Sequence, residues 1–491
     1  MKRVITITLI LLTSISIGAN SVRHLSLDEA ILLARTQSLD AAVALDELRS
    51  AYWQYRIYRA GLLPEVNFQA TAPSYSKSYN SYQNSDGTYT FVRNNYMQMY
   101  GKLSVQQNIW LTGGTLSLNS SLDYLKTLSG DKQQRYMSTP IALTLNQPIF
   151  GVNSTKWNRR IEPIRYAEAK ANFLTATEQV TMSAINYFFN LLLAKENVSI
   201  ARQNLQNAEK LYEVARAKHS MGIISDNDLL QLRLNTLNAR SGLTDDESSM
   251  KSAMFSLRSF LALDENVEII PLQPDTLAPI TLNYEQVLQK AMENNSVTKN
   301  LERRRLQADY DVANAKGNLR QINLTAQLGL SGVDRDIEPT YDRLNDNQYV
   351  QVGVQIPLID WGKRRGRLRM AESNREITAS RIEQELLNFK QNLFILVEQF
   401  NNQRTQLEIA QEADTIARRR YKSNVETFII GKISTLDLND AQVSKDQARR
   451  NHISELMYYW YYYYRIRSIT LWDWEKNSNI DADFEKIIKR R

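Results

Sequence analysis

Apolar residues recur at helical spacing along most of this chain and switch to strict alternation in a few short stretches. Ile200, Ala201, Leu205, Ala208, Leu211, Tyr212 and Ala215 keep to one helix face. Ile322, Leu324, Ala326, Leu328 and Leu330 alternate instead with Asn323, Thr325, Gln327, Gly329 and Ser331. After an acidic, polar loop, Val350, Val352, Val354 and Ile356 alternate with Gln351, Gly353 and Gln355. Period two is the signature of strands with one apolar face. The first half holds further strand segments at 66–79, 96–110, 115–125 and 141–150, with Gly113-Gly114 as a turn.

Proline placement bounds the helices, because proline lacks an N–H and clashes with the preceding turn of a helix. All ten prolines read as breaks or helix starts, and none lies between Pro163 and Pro271 or after Pro357. Both intervals are rich in Ala, Leu, Gln, Glu, Lys and Arg, so they read as long helices over roughly 163–219 and 366–427. Each is interrupted once, at Met221-Gly222 or Ile430-Gly431, and restarts at Ser225 or Ser434. A glycine stop followed by a serine cap is the chemistry of a helical hairpin. Each long arm would span on the order of 90 Å at 1.5 Å per residue. Helices over 27–60 and 284–317 are about half as long, so two short ones stacked end to end would flank one long one in a tall coiled-coil cylinder.

The chain also repeats itself. Gly222-Ile-Ile-Ser matches Gly431-Lys-Ile-Ser at an offset of 209 (431 − 222), and the same offset carries Pro148 onto Pro357 and Tyr212 onto Tyr421. An internal repeat of this length sets the architecture. Pro64 to Pro148 covers much more sequence than Arg320 to Pro357, so the first half carries an insertion, read as an additional hairpin. The expected division is a signal peptide at 1–19 and a first helix at 20–62. Strands at 63–150 and a long helical hairpin at 151–270 complete the first half. A linker at 271–283, a helix at 284–318, strands at 319–358, a second hairpin at 359–472 and a tail at 473–491 follow.

Lys2-Arg3, an apolar run from Val4 to Ile17 and small Gly18-Ala19 have the layout of a cleaved export signal. No later run of about 20 apolar residues could cross a bilayer as a helix. Cysteine is absent, which excludes disulfides and a lipidated cysteine anchor. Strands of about 10 residues with one apolar face and an uncharged polar face fit a barrel between lipid and water. An ordinary hairpin over a core is the alternative. Four to six strands fall short of the eight that close a barrel, and lipid does not tolerate an open edge. Closure therefore requires several copies of the chain.

Several motifs add a resemblance. These are Gln-Pro-Ile-Phe at 147–150, Ile-Pro-Leu-Ile-Asp-Trp-Gly-Lys-Arg-Arg at 356–365, and the two Gly-x-x-Ser turns within the repeated element order. From Leu25 to about Trp474 the chain resembles the TolC-like outer-membrane efflux family. The resemblance implies an α+β membrane protein. Three copies would share a twelve-stranded β-barrel in outer-membrane lipid, continuous with a periplasmic α-helical barrel. A periplasmic adaptor protein would join this homotrimer to an inner-membrane pump, moving small molecules or proteins outward. The insertion in the first half departs from the twelve-strand plan.

The resemblance also points to residues. Asp437 and Asp440 lie three apart, hence on one helix face, and family aspartates at these positions form acidic rings in the periplasmic mouth. Such rings would favour cations and raise some of the carboxylate pKa values. Asp228 holds the matching position in the first half, where Gln231 replaces the second acid. The competing reading is acids favoured by a helix N-terminus. The tips Gly222, Ile223, Ile224, Ser225 and Gly431, Lys432, Ile433, Ser434 are the expected adaptor contacts, their apolar residues having no evident core to fill. Gated members pair an aromatic residue and a basic one across the second turn. Phe428 and Ile433 stand there, and isoleucine makes no ion pair.

Lys363, Arg364, Arg365, Arg367 and Arg369 are either a solvated helix entry or a charged collar. The aromatic run 458–464 reads as helix packing in preference to a membrane belt. His24, His219 and His452 are isolated in sequence, and no catalytic, phosphate-binding or metal motif appears, so neither an enzyme nor a cofactor is expected. The net charge of +7 on an exported chain does not indicate nucleic acid. A passive porin or receptor and a soluble periplasmic coiled-coil scaffold are the rival functions.

Overall fold

The computed structural model describes residues 21–489 apart from 131, 276–279, 320, 356–358 and 431. The signal read at 1–19, Pro357 and Gly431 lie outside the described residues. In chain order the elements begin β1 (Ser21–Leu25), α1 (Leu27–Gln37), α2 (Leu39–Ala60), β2 (Glu65–Gln83), β3 (Tyr89–Asn108), β4 (Thr115–Thr127) and β5 (Gln134–Pro148). Then come α3 (Ser154–Ser220), α4 (Asp226–Phe260), β6 (Val267–Pro271), α5 (Tyr284–Asn294), α6 (Ser296–Gly317), β7 (Gln321–Asp334), α7 (Pro339–Asp342) and β8 (Asn345–Gln355). The chain ends with α8 (Lys363–Ile429), α9 (Thr435–Thr470), β9 (Trp472–Asp473), β10 (Ser478–Asn479) and α10 (Phe484–Lys489). Helices α3 and α8 are both 67 residues long, and α4 and α9 have 35 and 36 residues.

Two expectations about breaks give way. The helix read over 27–60 is divided at Ser38, whose extended backbone (ψ 149°) ends α1 while its hydroxyl accepts the Ala41 N–H. Asn295 (ψ 144°) divides the helix read over 284–317, its Nδ2 donating to the Ile469 carbonyl at 2.6 Å. Short polar side chains compete for backbone hydrogen bonds and so favour such breaks. Conversely, Pro163 is not a helix start. It lies inside α3, which begins at Ser154 after Asn153 accepts the Lys156 N–H.

The chain forms two units. One, made of Arg49–Ala169 and Ser296–Asn388, contains a six-stranded antiparallel sheet in the order β2-β3-β4-β5-β7-β8. Over the half of the sheet next to the helices its faces differ in polarity, while farther out the same face turns polar, with Lys77 opposite Asn95, Met97 opposite Lys126 and Leu330 opposite Asp346. Phe68 lies opposite Leu103, Val105 opposite Leu118, Leu118 opposite Leu143, Leu143 opposite Leu328, and Leu324 opposite Val352. Between these positions Asn67 faces Ser104, Ser117 faces Thr144, Asn146 faces Thr325, and Thr325 faces Gln351. Alternation along each strand thus becomes one apolar and one polar sheet face. The apolar face is bare, with Phe68 74% and Val350 69% exposed.

Pro73 and Pro140 fall within register shifts, between Thr71 and Ser74 and between Ser138 and Ile141, where a missing N–H breaks no ladder. The loop between β7 and β8 folds back through α7, and the buried Ser138 hydroxyl donates to the Thr340 carbonyl at 2.6 Å. Gly332 permits this approach, since a Cβ there would sit 2.0 Å from the same oxygen. On the helical side of this unit, the Arg303 guanidinium holds Glu168 at 2.6 Å and Arg304 holds Glu385 at 2.6 Å.

The other unit, Lys170–Asn295 and Phe389–Arg491 with the chain up to Leu48, carries the main hydrophobic core. A parallel pair of β1 and β6 lies beside α1, α3, α5, α8 and α9. Phe188, Phe189 and Phe400 are buried there, and Phe400 stacks on Tyr459 at 5.5 Å between ring centres. The aromatic run is helix packing. Tyr459, Tyr463 and Tyr464 are buried, and the Tyr463 hydroxyl, pushed up in pKa by that burial, donates to Asp473 at 3.1 Å.

Candidate functional site

The two turns between long and shorter helices are built alike. Helix α3 ends on Gly222, whose φ of +73° is open to glycine at little cost. The Gly222 N–H reaches the His219 carbonyl at 2.8 Å and the Ile223 N–H reaches Lys218 at 2.9 Å, the two reverse bonds of a glycine helix stop. At the second turn the Lys432 N–H reaches the Thr427 carbonyl at 3.1 Å, the counterpart of the Ile223 bond.

Each shorter helix then starts with a reciprocal cap. The Ser225 hydroxyl accepts the Asp228 N–H at 3.2 Å, while the Asp228 carboxylate accepts the Ser225 N–H at 3.2 Å and its hydroxyl at 2.7 Å. Ser434 and Asp437 repeat this at 3.2, 3.1 and 2.6 Å. Serine with an acid three residues later satisfies donors that a helix start leaves orphaned. These bonds hold both carboxyls below the usual carboxylate range, the serine hydroxyl contributing most. In a single chain the shift is therefore opposite to the rise expected of a crowded ring. Asp440 accepts from Arg420 at 2.6 Å and is locally neutralised. His219 is not isolated, since its Nε2 lies 2.6 Å from Asp226 across the first turn.

The apolar tip residues divide. Ile223 is 65% exposed, whereas Ile433 packs with Phe428 against a small core of Tyr421, Leu438 and Ala441. Ile433 thus has a core to fill, contrary to expectation, and contributes an apolar contact where a gated relative would hold a charge. Beside it lies an open, mainly apolar groove of about 870 Å³ lined by Leu211, Val214, Tyr421, Val425, Phe428 and Leu438. Away from the tips, Arg364 donates to the Leu319 carbonyl at 3.1 Å, so one member of the basic run fastens the start of α8.

Two buried carboxylates were not legible as special. Asp414 is fully buried on α8, where Arg418 binds it from the next turn. Arg449 and His452 of α9 approach it at 3.6 and 3.7 Å. Burial holds His452 below its ordinary pKa, against the pull of Asp414. Glu178 on α3 is also buried, 2.8 Å from Arg35 and 3.4 Å from Arg467, and burial raises its carboxyl in spite of both arginines. Charges at helical spacing look the same whether solvated or buried, so sequence offers no signal for either.

An antiparallel sheet with a bare apolar face, joined to long helical hairpins with capped tips, defines a channel-type outer-membrane component. The chain belongs to the outer membrane efflux protein family, whose profile matches residues 30–263 and 287–456. It is accordingly an outer-membrane efflux protein that extends into the periplasm. The cobalt-zinc-cadmium resistance protein CzcC of Cupriavidus metallidurans is 24% identical over 68% of this chain and 77% of its own. The pyoverdine export outer membrane protein OpmQ of Pseudomonas putida is 22% identical over 88% and 83%. The fold is shared with the CmeC outer membrane channel of Campylobacter jejuni, at a TM-score of 0.67 and 17% identity over 94% of this chain and 88% of that one.

Proposed function

We propose that this chain is the passive outer-membrane duct of a tripartite efflux system. Three copies share a closed barrel, and the helical hairpins of each copy extend into the periplasm as two versions of one repeated unit. The observation that carries this reading is the six-stranded sheet. Its outer strands β2 and β8 have no partner beyond them among the described residues, and its apolar face is exposed. Six strands fall short of the eight that close a barrel, and an open edge cannot persist in lipid. Equal lengths of α3 and α8 and the matched caps at Ser225 and Ser434 support the repeated unit.

The tips 222–225 and 431–434 are the contact for a periplasmic adaptor, which couples the duct to an inner-membrane pump. The exposed Ile223 and the apolar groove beside Phe428 suit a coiled-coil partner. Asp437 and Asp228 give the periplasmic mouth its acidic character, and Asp440 beside them is offset by Arg420. The duct itself performs no chemistry. Its relatives carry names as different as metal resistance and pyoverdine export, which favours a cargo chosen by the pump.

The test is fractionation of the mature protein followed by native mass measurement in mild detergent. Recovery from the outer membrane as a trimer is expected. A soluble monomer from the periplasm would end this reading.

A further inference from the structure

We infer that the transmembrane wall is an eighteen-stranded barrel, six strands from each of three copies, closed by β8 of one copy against β2 of the next. This rests on the trimeric reading above and departs from the twelve-strand plan implied by the family resemblance. The deciding question is whether the extra hairpin, β2 with β3, stands in the wall or folds away from it.

Polarity places it in the wall. The hairpin is hydrogen-bonded along β4 from Tyr96–Thr127 to Asn108–Thr115, as a continuation of the sheet. Near the helical end its apolar residues are in phase with those of the other four strands, so Phe68, Leu103 and Val105 extend the face that carries Leu118, Leu143, Leu328 and Val352. Its polar residues Asn67, Gln69, Lys102 and Ser104 extend the opposite face. A hairpin lying over a finished barrel would have no cause to keep this phase.

The two outer strands are also suited to each other. Strand β2 leaves the helical end of the sheet and β8 returns to it, so β8 of one copy meets β2 of the next antiparallel, as every other pair in the sheet does. The stagger of the sheet then limits the register. The row that starts at Glu65 passes through Gln106, Ser117, Thr144, Gln327 and Tyr349. Beyond that row β3 continues 2 residues to Asn108 (108 − 106) and β5 continues 4 to Pro148 (148 − 144). The described part of β8 continues 6 to Gln355 (355 − 349), and 356–358 lie outside the described residues. Over the described residues the helical end therefore steps by at least one residue per strand on average.

A barrel with shear equal to strand number has a tilt of about 36°, within the range of about 35–45° for outer-membrane barrels. Matching the faces requires an even offset, and one such register sets Glu65 of the next copy beside Gln355. Phe68 then faces Val352, Ala70 faces Val350, Asn67 faces Gly353 and Gln69 faces Gln351. Apolar meets apolar and polar meets polar at each position, an agreement that a stagger of odd length would invert.

Closure at eighteen strands changes the bore. With strands about 4.8 Å apart and tilted as above, the backbone cylinder is about 34 Å across, against about 23 Å for twelve strands. Barrels of 16–18 strands leave an aqueous channel.

The chain has no cysteine, so paired substitutions report single contacts. Gln69→Cys with Gln351→Cys, oxidised in isolated outer membranes, should give covalent dimers and trimers that survive boiling and revert with reductant. Asn119→Cys with Gln351→Cys reports closure on β4 of the next copy, the twelve-strand arrangement, and should remain monomeric after boiling. Cross-linking of the second pair overturns the proposal. So does an intact trimer in which Gln69→Cys links to none of Gly353→Cys, Gln351→Cys and Tyr349→Cys. A chain that is monomeric in mild detergent overturns both this inference and the trimeric reading, and is thereby distinguished from a wrong strand count. End-on projection images of the unmodified trimer supply a second measurement, about 34 Å supporting eighteen strands and about 23 Å refuting them.

Discussion

Replacing Asp414 with Asn should loosen the α8–α9 hairpin that carries the second tip. Asp414 has no solvent exposure, and its partners reach it from two helices. Removing one member of a buried ion pair costs about 3–5 kcal/mol, because the remaining charge is left in a poor solvent. Here the lower end applies. Arg449 keeps a second carboxylate, Glu196, at 2.8 Å, and Arg418 is 56% exposed and can turn to water. A loss of about 3 kcal/mol is roughly a hundredfold rise in the local opening equilibrium. Hydrogen exchange measured by mass spectrometry over 407–418 and 446–456 should show that rise, while peptides of the sheet stay unchanged.

The same variant has a pH signature. His452 is held below its ordinary pKa of 6.5 by burial, with Arg449 and Arg418 pushing in the same direction and Asp414 pulling back. A base whose folded pKa is depressed supports the fold above its unfolded value and loses that support as pH falls through the folded one. Protection of the hairpin in the unmodified protein should therefore weaken below about pH 6.5. Asp414→Asn removes the upward pull, so its loss should continue to lower pH. Exchange at neutral pH within twofold of the unmodified protein would refute the assignment of Asp414 as a buried anchor.

Two further outcomes concern the tips. Gly222→Val places a branched side chain at a φ of +73° with open space around it, so the cost is backbone strain of about 1–3 kcal/mol and not a clash. Export in a drug- or metal-accumulation assay should fall sharply while the trimer survives, and export at the unmodified level would remove this turn from the adaptor contact. For the mouth, Asp437 stays anionic because Ser434 stabilises its carboxylate, whereas Asp440 is offset by Arg420. Reversal potentials in planar bilayers should thus lose cation selectivity with Asp437→Asn much more than with Asp440→Asn, and equal effects would contradict this division.

The sequence by itself determined the features whose physics is local. Proline exclusion and composition marked the two long helices, and Gly-x-x-Ser-x-x-Asp marked both turns with their caps, because each bond there spans five residues or fewer. Alternation determined which side chains share a strand face. The internal breaks at Ser38 and Asn295 were missed, since polar residues with similar preferences also occur within uninterrupted helices. Only the tertiary structure decided which charges are buried. Asp414 and Glu178 have the same neighbours in sequence that solvated acids have, and their burial depends on Arg449, His452, Arg35 and Arg467, which arrive from distant segments. The tertiary structure also decided that the inserted hairpin continues the sheet with its apolar face in phase. Strand order and register are long-range pairings, and alternation specifies a face without naming the strand beside it.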